Sequence, residues 1–230
     1  GYGPGGRGQI YRIAMDPKTG VPTQEPEAWV NVETDLGISV CGEHGNDLLN
    51  QYDTTIFNQV GKCSLGDLDL SEDGQTLFVT NLTTKEIIGI DTAKQTKVGQ
   101  WAFPSNQASC KNMPDDVRPF GLKYHHGLLY VGAVCSGEVS RTANLATARD
   151  ELRAYVFSLN TTSNAWTEVL NYDWSKQRYG IYKTQLDPWL SSMDQISASR
   201  FAKGTPRNWV TDNSQMLTDI EFVGNDMVLG

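Results

Sequence analysis

Asp67, Asp69, Ser71 and Asp73 occupy every second position of LGDLDLSEDGQTLFVTNL (65–82), and Gly74 follows them. Alternating oxygen ligands ahead of a glycine bend open a loop that can wrap Ca2+. Such a loop closes on a bidentate carboxylate at its twelfth position, which counted from Asp69 is Thr80. Leu70 and the run Leu77-Phe78-Val79 also call for burial in strands. The alternation therefore reads as strand geometry, with Asp73-Gly74 in a hairpin turn where glycine supplies a positive φ. Ca2+ is the one cofactor the pattern would admit, and otherwise none is expected.

Other chemistry-bearing residues are scattered. Glu43, His44 and Asp47 share the segment CGEHGND, where a His among carboxylates can bind metal or move a proton, yet no second His is near. His125 and His126 fall at a hairpin turn and read as exposed. No G-x-S-x-G elbow, phosphate-binding glycine loop or H-E-x-x-H helix occurs. No catalytic residue is assigned, and the chain reads as a non-enzyme. Tyr179, Tyr182, Trp189 and Trp209 lie in stretches without period. Aromatic side chains on loops anchor protein or carbohydrate recognition; the alternative is that they pack their loops onto a sheet. Asn81-Leu82-Thr83 and Asn160-Thr161-Thr162 are glycosylation triplets.

The elements that carry these residues are strands. GQIYRIAMD (8–16) ends in the turn signal DPKTG, and EAWVNVE (27–33) reads as its antiparallel partner. DLDLS alternates with period two, EDG turns, TLFVTNL is β-branched and aromatic, and KEIIGIDTAKQTKVGQWAF gives two more strands. Four short antiparallel strands in about forty residues make a sheet the size of a propeller blade. The grammar recurs in PFGLKYHHGLLYVGAV (119–134) and LTDIEFVGNDMVLG (217–230), with Asp67, Gly121 and Asp219 at equivalent places. IYRIAMDPKTG, IIGIDTAKQT and AYVFSLNTTSN match one another as third strands running into a turn. The expectation is an all-β fold: a partial β-propeller of about three four-stranded antiparallel blades. Its blades fall near 8–33, 64–103 and 117–173, another begins at 217–230, and 34–62 and 174–216 are insertion loops.

A net charge of −8 repels phosphate backbones and anionic membrane surfaces, so nucleic acid is not an expected partner. No apolar run is long enough to insert in a membrane. The chain opens without an initiator Met or an apolar leader and stops within a strand pattern, so it is expected to be the interior of a longer protein or a processed product. Cys41, Cys63, Cys110 and Cys135 have no C-x-x-C spacing. Their even count leaves room for two disulfides in three connectivities, or for four buried thiols. Sequential pairing closes two moderate loops and points to an oxidising compartment.

LGDLDLSEDGQTLFVTNLTTKEIIGIDTAKQTKVGQWAF resembles the YVTN-type β-propeller repeat: a strand, S-x-D-G, T-L-[FY]-V-T-N, then a strand ending in I-D-T-A. More loosely, the run from FNQVGKCSLGDL onward is similar to the propeller region of large secreted bacterial surface proteins that also carry SdrD-B-type modules. That resemblance implies an extracellular, cell-surface adhesion module in a larger protein. Its partners would be protein or carbohydrate at a cell surface, and other domains of the same chain. In a propeller the first strands line a central channel, which makes Asp67, Asp219 and Arg118 channel-lining candidates. Propeller hydrolases of the lactonase kind hold a metal there, so a lactonase- or esterase-like hydrolase is the alternative function. A structural scaffold is a third.

Overall fold

The computed structural model describes residues 4–42, 57–108, 110, 114–175, 178–179, 184–192 and 215–230. Fourteen strands are described: β1 Gln9–Arg12, β2 Glu27–Asn31, β3 Leu65–Leu70, β4 Thr76–Asn81, β5 Glu86–Asp91, β6 Lys97–Ala102, β7 Val117–His125, β8 Leu128–Cys135, β9 Arg153–Asn160, β10 Ala165–Asp173, β11 Arg178–Tyr179, β12 Thr184–Gln185, β13 Ile220–Val223 and β14 Asp226–Leu229. They form two four-stranded sheets, β3-β4-β5-β6 and β7-β8-β9-β10, and the two-stranded pairs β1-β2, β11-β12 and β13-β14. Every pairing is antiparallel.

The central strands are apolar on both faces because both faces are covered. In β4 and β5, Leu77, Val79, Ile88 and Ile90 pack with Ile10 and Val30 of the first hairpin. Phe78 and Ile87 point the other way, into a core shared with Val117, Leu129, Val131, Tyr155 and Phe157 of the second sheet. Val134 and Val156, on the far face of that sheet, meet Trp189, Leu217 and Ile220. Ile38 and Val40, expected in a loop, belong to the first of these cores. The order of packing is therefore β1-β2, then β3–β6, then β7–β10, then β13-β14.

The matched third strands have a physical basis. The carboxylate or amide oxygens of Asp16, Asp91 and Asn160 each accept the N–H groups two and three residues on. Four residues on, Gly20, Gln95 and Asn164 all take positive φ. An Asx turn ending in a left-handed residue is thus built three times.

Two features depart from expectation. α1 (Glu138–Ala143) and α2 (Leu145–Asp150) interrupt the span between β8 and β9, where the strand pattern gives no sign of helix. The β-propeller reading is corrected to an all-β arrangement of separate antiparallel sheets: among the described residues none closes on itself, and no propeller is identified. Among the described residues the strand ladders stop at each sheet's edge strands, and side-chain packing together with a few hydrogen bonds joins one sheet to the next.

Candidate functional site

The acidic row of β3 faces the edge of the next sheet. β7 is an edge strand, and its backbone N–H groups at Leu122, Tyr124 and, just beyond it, His126 meet carboxylates from β3 and its turn. Asp67 Oδ2 accepts Leu122 N–H at 2.9 Å, Asp69 Oδ2 accepts Tyr124 N–H at 2.8 Å, and Glu72 Oε1 accepts His126 N–H at 2.9 Å. An uncovered edge would expose these donors to pairing with another chain. The every-second-residue spacing of Asp67 and Asp69 matches that of the donors. On the other side of β7, Gly121 donates to the carbonyl of Leu217 at 2.9 Å. A Cβ at Gly121 would stand 2.9 Å from that same oxygen, so the position admits no side chain.

Equivalent positions on the three first strands, Asp69, Lys123 and Glu221, make a row of alternating charge. Lys123 Nζ lies 3.0 Å from Glu221 Oε1 and 3.6 Å from Asp69 Oδ2. These partners, Glu221 first, raise the Lys123 ammonium above its ordinary value. Asp67 and Asp219, singled out as channel-lining, come within electrostatic reach of each other. Burial pushes the Asp67 carboxyl up, the Leu122 and Leu68 amides offset part of that, and the charges of Asp219 and Asp69 add to the rise.

The Asp69-x-Ser71-x-Asp73-Gly74 pattern is a turn. Ser71 Oγ donates to Asp73 Oδ1, which also accepts Gln75 N–H; Gly74 has φ 67° and donates to the Ser71 carbonyl. The oxygens point to separate partners, and Thr80 is buried within β4. Among the described residues no group of three or more His, Cys, Asp or Glu side chains gathers as a metal site.

Arg118 is engaged in a different cluster. It donates to Glu138 Oε2 at 3.0 Å, Lys62 donates to Glu138 Oε1 at 2.7 Å, and all three side chains are largely buried. The guanidinium carbon lies 5.9 Å from the Trp189 ring centroid. Lys85, half-buried nearby and bonded to the carbonyls of Pro114 and Asp115, is lowered to about 8, by burial first and then by the charge of Arg118. Beside them Asp116, fully buried, accepts the N–H groups of Val139 and Ser140 and both of the Ser136 and Ser140 hydroxyls. Because Gly137 at the N-cap of α1 has no side chain, a distant carboxylate does the capping. Ser140 Oγ also bonds Glu151. The sequence carried no periodic signal for this cluster, whose members come from six separate segments.

Trp189 is 3% exposed, its ring packed over Gly61 and its indole N–H bonded to the Gln215 carbonyl. That placement corrects its expected surface role: it holds a loop on the sheet. Tyr179 contributes backbone to β11. Tyr182, Trp209, Glu43, His44 and Asp47 lie outside the described residues. His126, with φ 49°, is in the β7–β8 turn, and His125 stacks on Phe222 at 4.0 Å. The cysteines form Cys41–Cys63 and Cys110–Cys135. No described helix is long and apolar enough to cross a membrane.

No family model matches the chain. Colossin-D of Dictyostelium discoideum is 28% identical over 148 residues, 62% of this chain and 14% of that protein. Colossin-A of the same organism is 24% identical over 238 aligned positions, taking in 100% of this chain and 2% of that protein. Colossin-B is 24% identical over 209 residues, 90% of this chain and 5% of that protein. The chain thus spans a small part of the length of the curated relatives it matches. These findings overturn the resemblance to YVTN-type repeats and bacterial SdrD-B-bearing surface proteins. The quoted motif is what a doubly buried second strand and two polar turns require, and such hairpins need no common family. The chain is similar, at low identity, to segments of colossins.

Proposed function

We propose that this chain is a non-enzymatic, extracellular binding module of a larger protein, engaging protein or carbohydrate at a cell surface. The observation that carries the reading is the commitment of the β3 carboxylates. Asp67, Asp69 and Glu72 are bonded to the amides of the neighbouring edge, and Lys123 is held between Asp69 and Glu221. A hydrolase needs several carboxylates converging on one metal, whereas Asp67, Asp69 and Glu72 each direct an oxygen to a different amide of the neighbouring edge. Two disulfides favour an oxidising compartment.

The finer architecture we propose is a row of like antiparallel sheets with β3, β7 and β13 adjacent along one side. Its support is that these first strands lie side by side through Asp67–Leu122 and Gly121–Leu217. Leu68 and Leu70 on β3, beside the Leu77 and Val79 that the first hairpin covers, and Val223 and Val228 of the last hairpin are exposed apolar side chains that further strands of a longer chain would cover.

The test offers the immobilised chain to intact cells and to arrays of glycans and extracellular proteins. In parallel, lactone and phosphate-ester hydrolysis is assayed with Ca2+, Zn2+ and Mn2+. Saturable binding without turnover is expected. Metal-dependent turnover abolished by Asp67→Asn would overturn the reading in favour of the hydrolase.

A further inference from the structure

The two glycosylation triplets are alike in sequence and opposite in setting. Asn81 is fully buried at the end of β4, with its Nδ2 donating to the Ser39 carbonyl at 3.0 Å and its Oδ1 accepting Thr83 N–H at 3.0 Å. Its amide is used at both ends, with no space for a sugar. Asn160 ends β9 at the rim of the sheet and opens the turn to β10. Its Oδ1 accepts the N–H groups of Thr162 and Ser163, each at 3.0 Å, and both of those residues are exposed.

We propose that Asn160 is an N-glycosylation site and that Asn81 is not; the proposal rests on the extracellular reading above. Acceptance of the Thr162 and Ser163 amides by Oδ1 fixes the side chain in an Asx turn, which leaves Nδ2 as its outward group. The sugar donor is an oligosaccharide on a polyprenyl pyrophosphate. A bond forms between Nδ2 and the anomeric carbon as the bond from that carbon to the pyrophosphate breaks. The amide loses one proton, and the carrier leaves as its pyrophosphate; nothing is oxidised or reduced.

The repeated turn separates the chemical role of Asn160 from its structural one. At the equivalent positions stand Asp16 and Asp91, whose carboxylates accept the same two amides. An Asp serves the turn as well as an Asn does, but it has no nucleophilic nitrogen. Asn160 is the one of the three that can take a glycan.

The experiment expresses the 230-residue chain behind a secretion leader in a eukaryotic cell. Glycopeptides are mapped by mass before and after peptide-N-glycosidase, in both the cell-retained and secreted fractions. A glycan on the Asn160 peptide and a bare Asn81 peptide in the secreted chain are expected. Asn160→Asp should abolish the glycosidase-sensitive mobility shift with the melting temperature of the deglycosylated chain unchanged, and Thr162→Ala should abolish the shift as well. An unmodified Asn160 in both fractions, or an occupied Asn81 in the secreted chain, would overturn the proposal. Secretion with both disulfides closed is scored separately and tests the extracellular reading, so the two failures are distinguishable.

Discussion

The carboxylate of Asp69 accepts the backbone N–H of Tyr124 at 2.8 Å across the boundary between two sheets. With Asp67 on Leu122 it makes a short ladder in which side chains take the part a backbone carbonyl plays within a sheet. Asp69→Ala leaves an edge amide unpaired and Lys123 with one partner fewer. A charge-assisted hydrogen bond of this kind contributes about 1.5–3 kcal/mol. Urea unfolding of the variant should show a loss in that range, while Asp69→Asn, which keeps an acceptor, should lose less.

Acid titration should reveal carboxylates of opposite sign. Asp67 is raised above its ordinary 3.8 by burial, so above that value the folded chain binds more protons than the unfolded one. Its contribution is present below 3.8 and lost as pH rises through its folded value. Asp73 and Asp91 are lowered from 3.8, by the Ser71 hydroxyl and the Lys94 amide respectively, so theirs is present above 3.8 and lost as pH falls through their folded values. Melting curves should therefore show Asp67→Asn gaining on the parent as pH rises from about 3 to about 7, and Asp91→Asn losing ground over the same interval. Parallel curves for the two variants would contradict the assignment.

Lys85 governs the alkaline side. Between its folded value of about 8 and its ordinary 10.5, the unfolded chain binds more protons, so this group makes stability rise with pH across that window. Lys85→Met should flatten the rise. Competitive acylation read by peptide mass at pH near 8 should also find Lys85 more reactive than an exposed lysine such as Lys94, because more of its amine is neutral.

The disulfides should separate under reductant. Cys110 and Cys135 are 1% and 0% exposed, whereas Cys41 and Cys63 are both partly exposed. Stepwise dithiothreitol with alkylation and peptide mapping should open Cys41–Cys63 first. The sequence separations are 22 and 25. Chain-entropy estimates give each bridge about 3–4 kcal/mol. Loss of both should unfold the chain well below its parent melting temperature.

Local patterns were readable in the sequence where one hairpin suffices to define them. The apolar run of β4, the Asp73-Gly74 turn and the recurring Asx turn at Asp16, Asp91 and Asn160 each follow from neighbours in sequence. What depends on another sheet was not readable. Asp67 and Asp69 are spaced to fit the amides of β7, some 55 residues away, and nothing in LGDLDLS distinguishes that from a cation loop. Trp189 is buried because Gly61 makes room and Leu217 covers it, and Arg118 is drawn to Glu138 of a helix that strand periodicity did not announce. The propeller expectation went further than the pairing supports: repeated hairpins imply like sheets, whereas ring closure is a property of sheets taken together.

Amide hydrogen exchange at Leu122 and Tyr124 tests whether the β3 carboxylates hold the neighbouring edge and are not reserved for chemistry. Under native conditions both amides should be protected in the parent chain and unchanged by saturating Ca2+. In Asp69→Ala, Tyr124 should lose protection by about tenfold or more, as loss of about 1.5 kcal/mol or above requires, while β5 stays protected. Rapid exchange at both amides in the parent chain, or Ca2+-dependent release of them, would show that these carboxylates do not hold the edge.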